Sequence, residues 1–207
     1  MSPWLVLVSS YLVGGIPFSY LAGKFTKGID LRQHGSGNLG ASNTYRILGG
    51  RIAIVVLILD IAKGFLPVFL ARAYDVPGQE PLHELAAAVG AILGHLFSPH
   101  LRFSGGKGIA TSAGAFMALA PWAFACALTV FALVFAARKI VSLASLAAAV
   151  TLPVGVYLVA RAGLEPSAAT VLWGSVLVML VVVVKHRGNI KRLIAGTEPR
   201  LARRRET

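Results

Sequence analysis

The chain has 207 residues, of which 56% are apolar and only 14% charged, and its mean hydropathy is +0.73. That is too apolar for an ordinary soluble domain and calls for a bilayer, in which about 20 apolar residues make one spanning helix. The net charge of +12 does not point to nucleic acid, because the chain holds no soluble reading module and basic residues beside spans and anionic headgroups account for it.

Residues 2–23 carry no charge and predict a first spanning helix. No basic residue precedes this run and Lys24 follows it, so a retained segment is expected rather than a cleaved signal peptide. A polar loop from Lys24 to Arg51 comes next, cytoplasmic by its Lys24, Lys27, Arg32, Arg46 and Arg51. Within it Gly35, Gly37 and Gly40 spell G-x-G-x-x-G. A dinucleotide fold would need a strand before this motif and an acidic residue about 20 positions after it, and neither is present. What survives is the physics of glycine: without a Cβ, backbone N–H groups can converge on an anion. Ser36, Asn38, Ser42 and Asn43 add further donors, and Arg46 offers a planar fork for two phosphate oxygens. The competing reading is a loop that caps the next helix through Ser42 or Asn43.

The run 52–71 predicts a second span, interrupted by Asp60 and Lys63, which are three apart and expected to form a structural ion pair. Leu85 to Leu101 predicts a third, with His95 as an interhelical hydrogen-bonder rather than a metal ligand. The segment from Phe103 to Thr111 resembles a P-loop but has Leu101 and Gly108 where that motif requires Gly and Ser or Thr. Gly105, Gly106 and Gly108 nevertheless lead into a helix N-terminus beside Lys107, with Thr111 closing the segment, and so predict a second anion site. The alternative is a lysine that merely marks the membrane edge.

No charge falls between residues 108 and 137, yet basic residues flank both ends, so this run is read as a short helical hairpin turning near Pro121 and Trp122. Each half would have roughly 15 residues, or about 22 Å of helix. Ile140–Ala160 and Pro166–Val184 complete seven transmembrane helices, with the N-terminus outside and the C-terminus cytoplasmic; 17 of the 20 basic residues then lie in cytoplasmic clusters. The fold class expected is an all-α integral membrane protein forming one domain, 1–207. Cys126, alone in an apolar stretch, is read as packing.

Past the last span, Lys185 to Glu198 forms a third polar segment. On a continuing helix, His186 and Asn189 would share a face, one able to carry a proton and the other able to donate to an oxyanion. Ser142, just inside the membrane after Arg138, points to the same cytoplasmic side, and Arg203–Arg205 reads as a membrane-surface tail.

Two glycine-and-cation segments on one face suggest two phosphates on different reactants, one of them greasy. Paired carboxylates for two-metal chemistry and a G-x-S-x-G elbow are both missing. In this combination the chain resembles the bacterial membrane acyl-phosphate glycerol 3-phosphate acyltransferases. The resemblance runs through Ile16-Pro17-Phe18, Gly35 to Asn43, Leu59 to Gly64, Leu93-Gly94-His95, Ser104 to Thr111, Val141-Ser142-Leu143 and His186 to Glu198. It implies seven spans with the active residues cytoplasmic, in a bacterial inner membrane. It further implies a site lined by Ser36, Arg46, Lys107, Ser142, His186 and Asn189, with the two glycine segments binding phosphate and Glu198 contacting substrate. The expected partners are acyl phosphate, glycerol 3-phosphate and the lipid bilayer, with no cofactor, no metal and a monomeric chain. Lys107 would hold the departing phosphate, Arg46 and Ser36 would orient the acceptor, and Asn189 would meet the oxyanion. Either His186 or a substrate phosphate oxygen would act as base. The rivals from other classes are an organic-phosphate transporter and a lipid-headgroup phosphotransferase.

Overall fold

A computed structural model describes residues 1–75, 81–164 and 169–201, which are all-helical and contain no strand. The chain divides into two compact units, Met1–Leu119 and Ala120–Thr207.

In the first unit, α1 (Pro3–Gly14) starts where Pro3 needs no amide partner and Ser2 accepts the Trp4 N–H. The expected single first span is broken: α1 stops at Gly14, and α2 (Phe18–Lys27) begins after Pro17. Pro17 has no N–H to continue the ladder and pushes Ile16 out of the helical region. The carbonyls freed there find donors, Ser98 Oγ on Gly15 O and Lys63 Nζ on Ile16 O at 2.8 Å. Gly28, at φ 68°, ends α2 in the left-handed conformation.

Two short helices follow: a 3-10 turn at Leu31–Gln33 and α3 (Ala41–Leu48). Next comes α4 (Gly50–Ala71), 22 residues or about 33 Å long, enough to cross a bilayer. Helices α5 (Leu82–Leu96) and α6 (Ile109–Leu119) complete the unit. Helix α1 packs along α5 and α4 along α6 through glycines. A Cβ on Gly14 would strike the Ala91 backbone, and one on Gly64 the Thr111 carbonyl. Small residues are what let helices approach this closely in lipid. The Asp75 carboxylate caps α5 by accepting the N–H groups of His83 and Glu84, each at 2.9 Å.

In the second unit, α7 (Pro121–Arg138) packs along α8 (Val141–Arg161), and α8 along α9 (Ala169–Lys185). Helix α10 (Arg187–Ile194) leaves α9 at a bend of 62°.

Pro3–Lys27 taken through its break, Gly50–Tyr74, Pro121–Arg138 and Val141–Arg161 are each long and apolar enough to span; α9 with α10 makes a fifth candidate among the described residues. Their outward faces carry Ile54, Ile58, Phe69, Leu133, Trp173 and Leu180, all exposed, as expected where lipid is the solvent. The run 108–137 does break at Ala120, next to Pro121, but into helices of 11 and 18 residues rather than two near 15. Cys126 is exposed on α7 rather than packed inside. Arg203–Arg205 and the start of the run at Pro166 lie outside the described residues.

Candidate active site

The first glycine segment is held from within by Asn43, which is fully buried. Its Oδ1 accepts the Ser36 N–H at 2.9 Å, while its Nδ2 donates to Leu31 O at 3.2 Å and His34 O at 3.0 Å. All three bonds fold residues 31–36 back over α3. Gly35 and Gly37, at φ 62° and 69°, make the turns that a side chain would resist, and a Cβ on Gly35 would run into the Asn43 amide. Helix α3 is capped by Gly40, not by Ser42 or Asn43. With no side chain at the cap, the Gly40 carbonyl takes the Asn43 and Thr44 N–H groups and the Thr44 hydroxyl, each at 3.1 Å. Ser42 and Arg46, four apart, share one half-buried face of α3. Ser36 is exposed at the loop tip, with Asn38 half-buried behind it. Beneath the loop Leu31, Leu39, Leu48 and Leu101 form a buried apolar cluster.

The second glycine segment lies against the first. Gly106 donates its N–H to His95 O at 3.1 Å, and a Cβ there would collide with the His95 ring and with the carbonyl of Leu39, inside the first segment. A Cβ on Gly105 would likewise strike the His95 and Leu96 carbonyls. Gly108, at φ 84°, turns the chain into α6, so half-buried Lys107 sits between the glycine pair and a helix N-terminus. Thr111 is fully buried, and its hydroxyl finds no hydrogen-bond partner among the described residues. Ser36 and Lys107 therefore sit on two adjoining glycine segments of one unit, with Arg46 on the helix that follows the first.

His186, Asn189, Ser142 and Glu198 belong to the second unit, where Glu198 gathers the others. Its Oε1 accepts from Ser142 Oγ and Asn189 Nδ2, both at 2.6 Å, and its Oε2 accepts from Arg192 Nε at 2.7 Å. Burial pushes the Glu198 carboxyl up, but the hydrogen bonds from Ser142, Asn189 and Arg192 and the Arg192 charge outweigh it and hold the group below its ordinary range. His186 and Asn189 do not ride on a continuing helix. His186 sits at the α9–α10 bend, and both side chains are buried. His186 Nδ1 lies 2.8 Å from Val182 O. A carbonyl can only accept, so Nδ1 carries a proton.

Spacing did not reveal the Ser19–Thr44 hydroxyl pair at 2.8 Å or the bond from Ser98 to Gly15. Both link segments far apart in the chain, and a serine before Tyr or Pro carries no distinctive signal. Among the described residues no three His, Cys, Asp or Glu side chains gather as a metal site.

A family model described as glycerol-3-phosphate acyltransferase matches residues 4–196. The chain belongs to the glycerol-3-phosphate acyltransferase family. The glycerol-3-phosphate acyltransferase of Trichlorobacter lovleyi is 43% identical over 192 residues, 93% of this chain and 94% of the relative. That of Desulforudis audaxviator is 45% identical over 201 residues, 97% and 96%. Among solved structures, the crystal structure of PlsY (YgiH), an integral membrane glycerol 3-phosphate acyltransferase, in its glycerol 3-phosphate form aligns with a TM-score of 0.87 at 32% identity, over 98% of this chain and 96% of that one. Its lysophosphatidic acid form aligns at 0.84 and 31%, with the same coverage. The chain is thus an integral membrane acyltransferase acting on glycerol 3-phosphate.

Proposed function

We propose that the enzyme takes its acyl group from acyl phosphate and delivers it to the 1-hydroxyl of glycerol 3-phosphate, giving 1-acyl-glycerol 3-phosphate (lysophosphatidic acid) and inorganic phosphate. The observation that carries this reading is the packing of Gly106 against the Leu39 carbonyl, which supports reading the two glycine segments, one with Lys107 and one followed by Arg46, as neighbouring anion cradles. Two phosphates in one reaction need two such cradles. The glycerol 3-phosphate and lysophosphatidic acid forms of the related PlsY support the same acceptor and product here.

In this reading Lys107 and the amides of residues 105–108 hold the phosphate that leaves, and Arg46, Ser36 and the loop 35–43 orient glycerol 3-phosphate. The acceptor oxygen forms a bond to the acyl carbon, the bond from that carbon to the phosphate oxygen breaks, and phosphate carries away the charge. The acceptor proton passes to His186 Nε2 or to a substrate phosphate oxygen. Asn189 stabilises the developing oxyanion, an effect of about 2.7–4 kcal/mol where one such donor has been removed. The acyl donor is already activated, so no covalent enzyme intermediate is needed. We assign the whole chain, 1–207, to one acyltransferase domain of the bacterial inner membrane, working as a monomer. Its seven spans have the N-terminus outside and the catalytic segments cytoplasmic, with α5 and α6 as the short ones.

The deciding experiment supplies purified protein with palmitoyl phosphate and glycerol 3-phosphate and measures lysophosphatidic acid and free phosphate. Equal release of both is expected, with no product from acyl-CoA. Product from the thioester alone would reject the donor. Proteoliposomes that accumulate labelled glycerol 3-phosphate without acylating it would favour a transporter.

A further inference from the structure

Three ionisable side chains lie buried in the first unit and have no part in the reaction as drawn: Asp60 at 2% exposure, Lys63 at 5% and His95 at 8%. Lys63 Nζ and Asp60 Oδ1 are 2.8 Å apart, and His95 Nδ1 is 3.8 Å from the same oxygen. Buried charges in a membrane helix are costly and persist where they have a partner and a task. A plain structural pair would satisfy itself within α4, and this one reaches further.

Lys63 donates to the Ile16 carbonyl at 2.8 Å and lies 5.5 Å from the centre of the Phe18 ring. It thereby fixes the α1–α2 break. One residue on, the Ser19 hydroxyl bonds Thr44, whose own hydroxyl bonds the Gly40 carbonyl at the cap of α3. The path ends on the helix that carries Arg46. On the other side, His95 accepts the Gly106 N–H through its carbonyl and presents its ring to the Gly106 Cα, one residue from Lys107. Ser19, Leu39, Lys63, His95, Gly105 and Gly106 line one cleft. The buried cluster therefore touches the elements that hold both glycine segments.

We infer that Asp60, Lys63 and His95 are positioning residues that set the spacing between the two phosphate cradles. The inference rests on the proposed reading that these cradles bind the two substrates. With the cluster intact, Arg46 and Lys107 stand at the separation that acyl transfer from a bound acyl phosphate to bound glycerol 3-phosphate requires. When Lys63 loses its charge or its hold on Ile16, α2 and α3 shift; when His95 changes, the Gly105–Gly106 turn shifts. Either displacement moves one cradle relative to the other, and small misplacements cost large factors in rate.

The test compares Lys63→Met, Asp60→Asn, His95→Gln and the paired neutral variant Asp60→Asn/Lys63→Gln with the parent enzyme, each purified in detergent. Steady-state kinetics are measured with palmitoyl phosphate and glycerol 3-phosphate varied in turn, alongside Tm. The expected result is a fall in kcat/KM of at least about tenfold, with KM raised for both substrates, in variants that still melt cooperatively, and partial recovery in Lys63→Arg. The paired variant leaves no lone buried charge, so it folds even if a single one does not; its kinetics decide the matter in that case. A lowered Tm with kcat and both KM values unchanged in the folded protein would overturn the inference and leave a purely structural pair. Arg46→Ala and Lys107→Ala serve as the reference. If these retain full activity, the cradle reading itself has failed; if they are inactive while the cluster variants are unaffected, only the positioning role has.

Discussion

The Asn189 carboxamide donates to Glu198 Oε1 at 2.6 Å, and Ser142 Oγ donates to the same oxygen at the same distance. One carboxylate thereby orders a residue near the start of α8 and one on α10, segments separated by more than forty positions. Asn189 is assigned to the oxyanion, and its orientation is set by this bond to Glu198. Replacing Glu198 with Ala leaves the Ser142 and Asn189 donors without this acceptor, and a hydrogen bond to a charged group contributes on the order of 1.5–3 kcal/mol. Glu198→Ala is expected to lower both Tm and kcat, and Glu198→Gln, which retains an acceptor oxygen, to lower them less. Thermal unfolding and steady-state rates for the two variants check the order.

The same carboxylate gives a pH dependence of definite sign. Its folded value lies below its ordinary one, so the unfolded chain takes up a proton first as the pH falls, and stability rises with pH across the interval between the two values. The Glu198 contribution is complete above the unfolded value of about 4.3 and is lost as the pH drops further, through the folded value. Melting curves of the parent and of Glu198→Gln should therefore run a constant distance apart from neutral pH down to about pH 5 and converge in more acid buffer. A gap that widens in acid would contradict the assignment.

Asn43 offers a sharper separation of donor from acceptor. It accepts once, from Ser36 N, and donates twice, to Leu31 O and His34 O. Asn43→Asp keeps the acceptor but sets a carboxylate oxygen against two carbonyls, whereas Asn43→Ala removes all three bonds. Each variant is expected to lose on the order of 1–3 kcal/mol of stability, because buried partners are left unsatisfied. Asp is expected to be no better than Ala. KM for glycerol 3-phosphate should rise in both, since Ser36 is no longer held. An Asp variant with parental kinetics would show that the donor bonds are dispensable.

These residues mark how far the sequence could be read. Apolar runs gave the helical class and the helices long enough to cross a bilayer, because hydropathy responds directly to lipid, and dense glycine near Arg46 and Lys107 marked two segments that pack against each other. The break at Gly15–Pro17 was hidden because Pro17 sits inside an uncharged run, and hydropathy cannot tell a bent span from a straight one. The bend at His186 was hidden for a related reason: a three-residue spacing fits any helix, and only packing shows where one ends. Asn43 read as one more donor in a polar loop. Its role depends on partners seven to twelve positions away, which periodicity does not report.

Glycine substitutions test whether the two cradles must touch. A Cβ on Gly106 would meet the His95 ring and the Leu39 carbonyl, and the carbonyl belongs to a backbone held by a buried leucine cluster, so it cannot step aside cheaply. Gly188, on α10, is the matched control: its added Cβ would find nothing nearer than Arg192 Nη1 at 3.7 Å, an ordinary contact. Gly188→Ala should be neutral or slightly stabilising, since alanine is favoured over glycine inside a helix by roughly 1 kcal/mol. Gly106→Ala should push residues 105–107 away from the first segment and cost at least about tenfold in kcat/KM, with Tm changed far less than activity. Equal activity in the two alanine variants would mean that the approach of Gly106 to Leu39 does not matter to catalysis, and the side-by-side cradles would lose their main support.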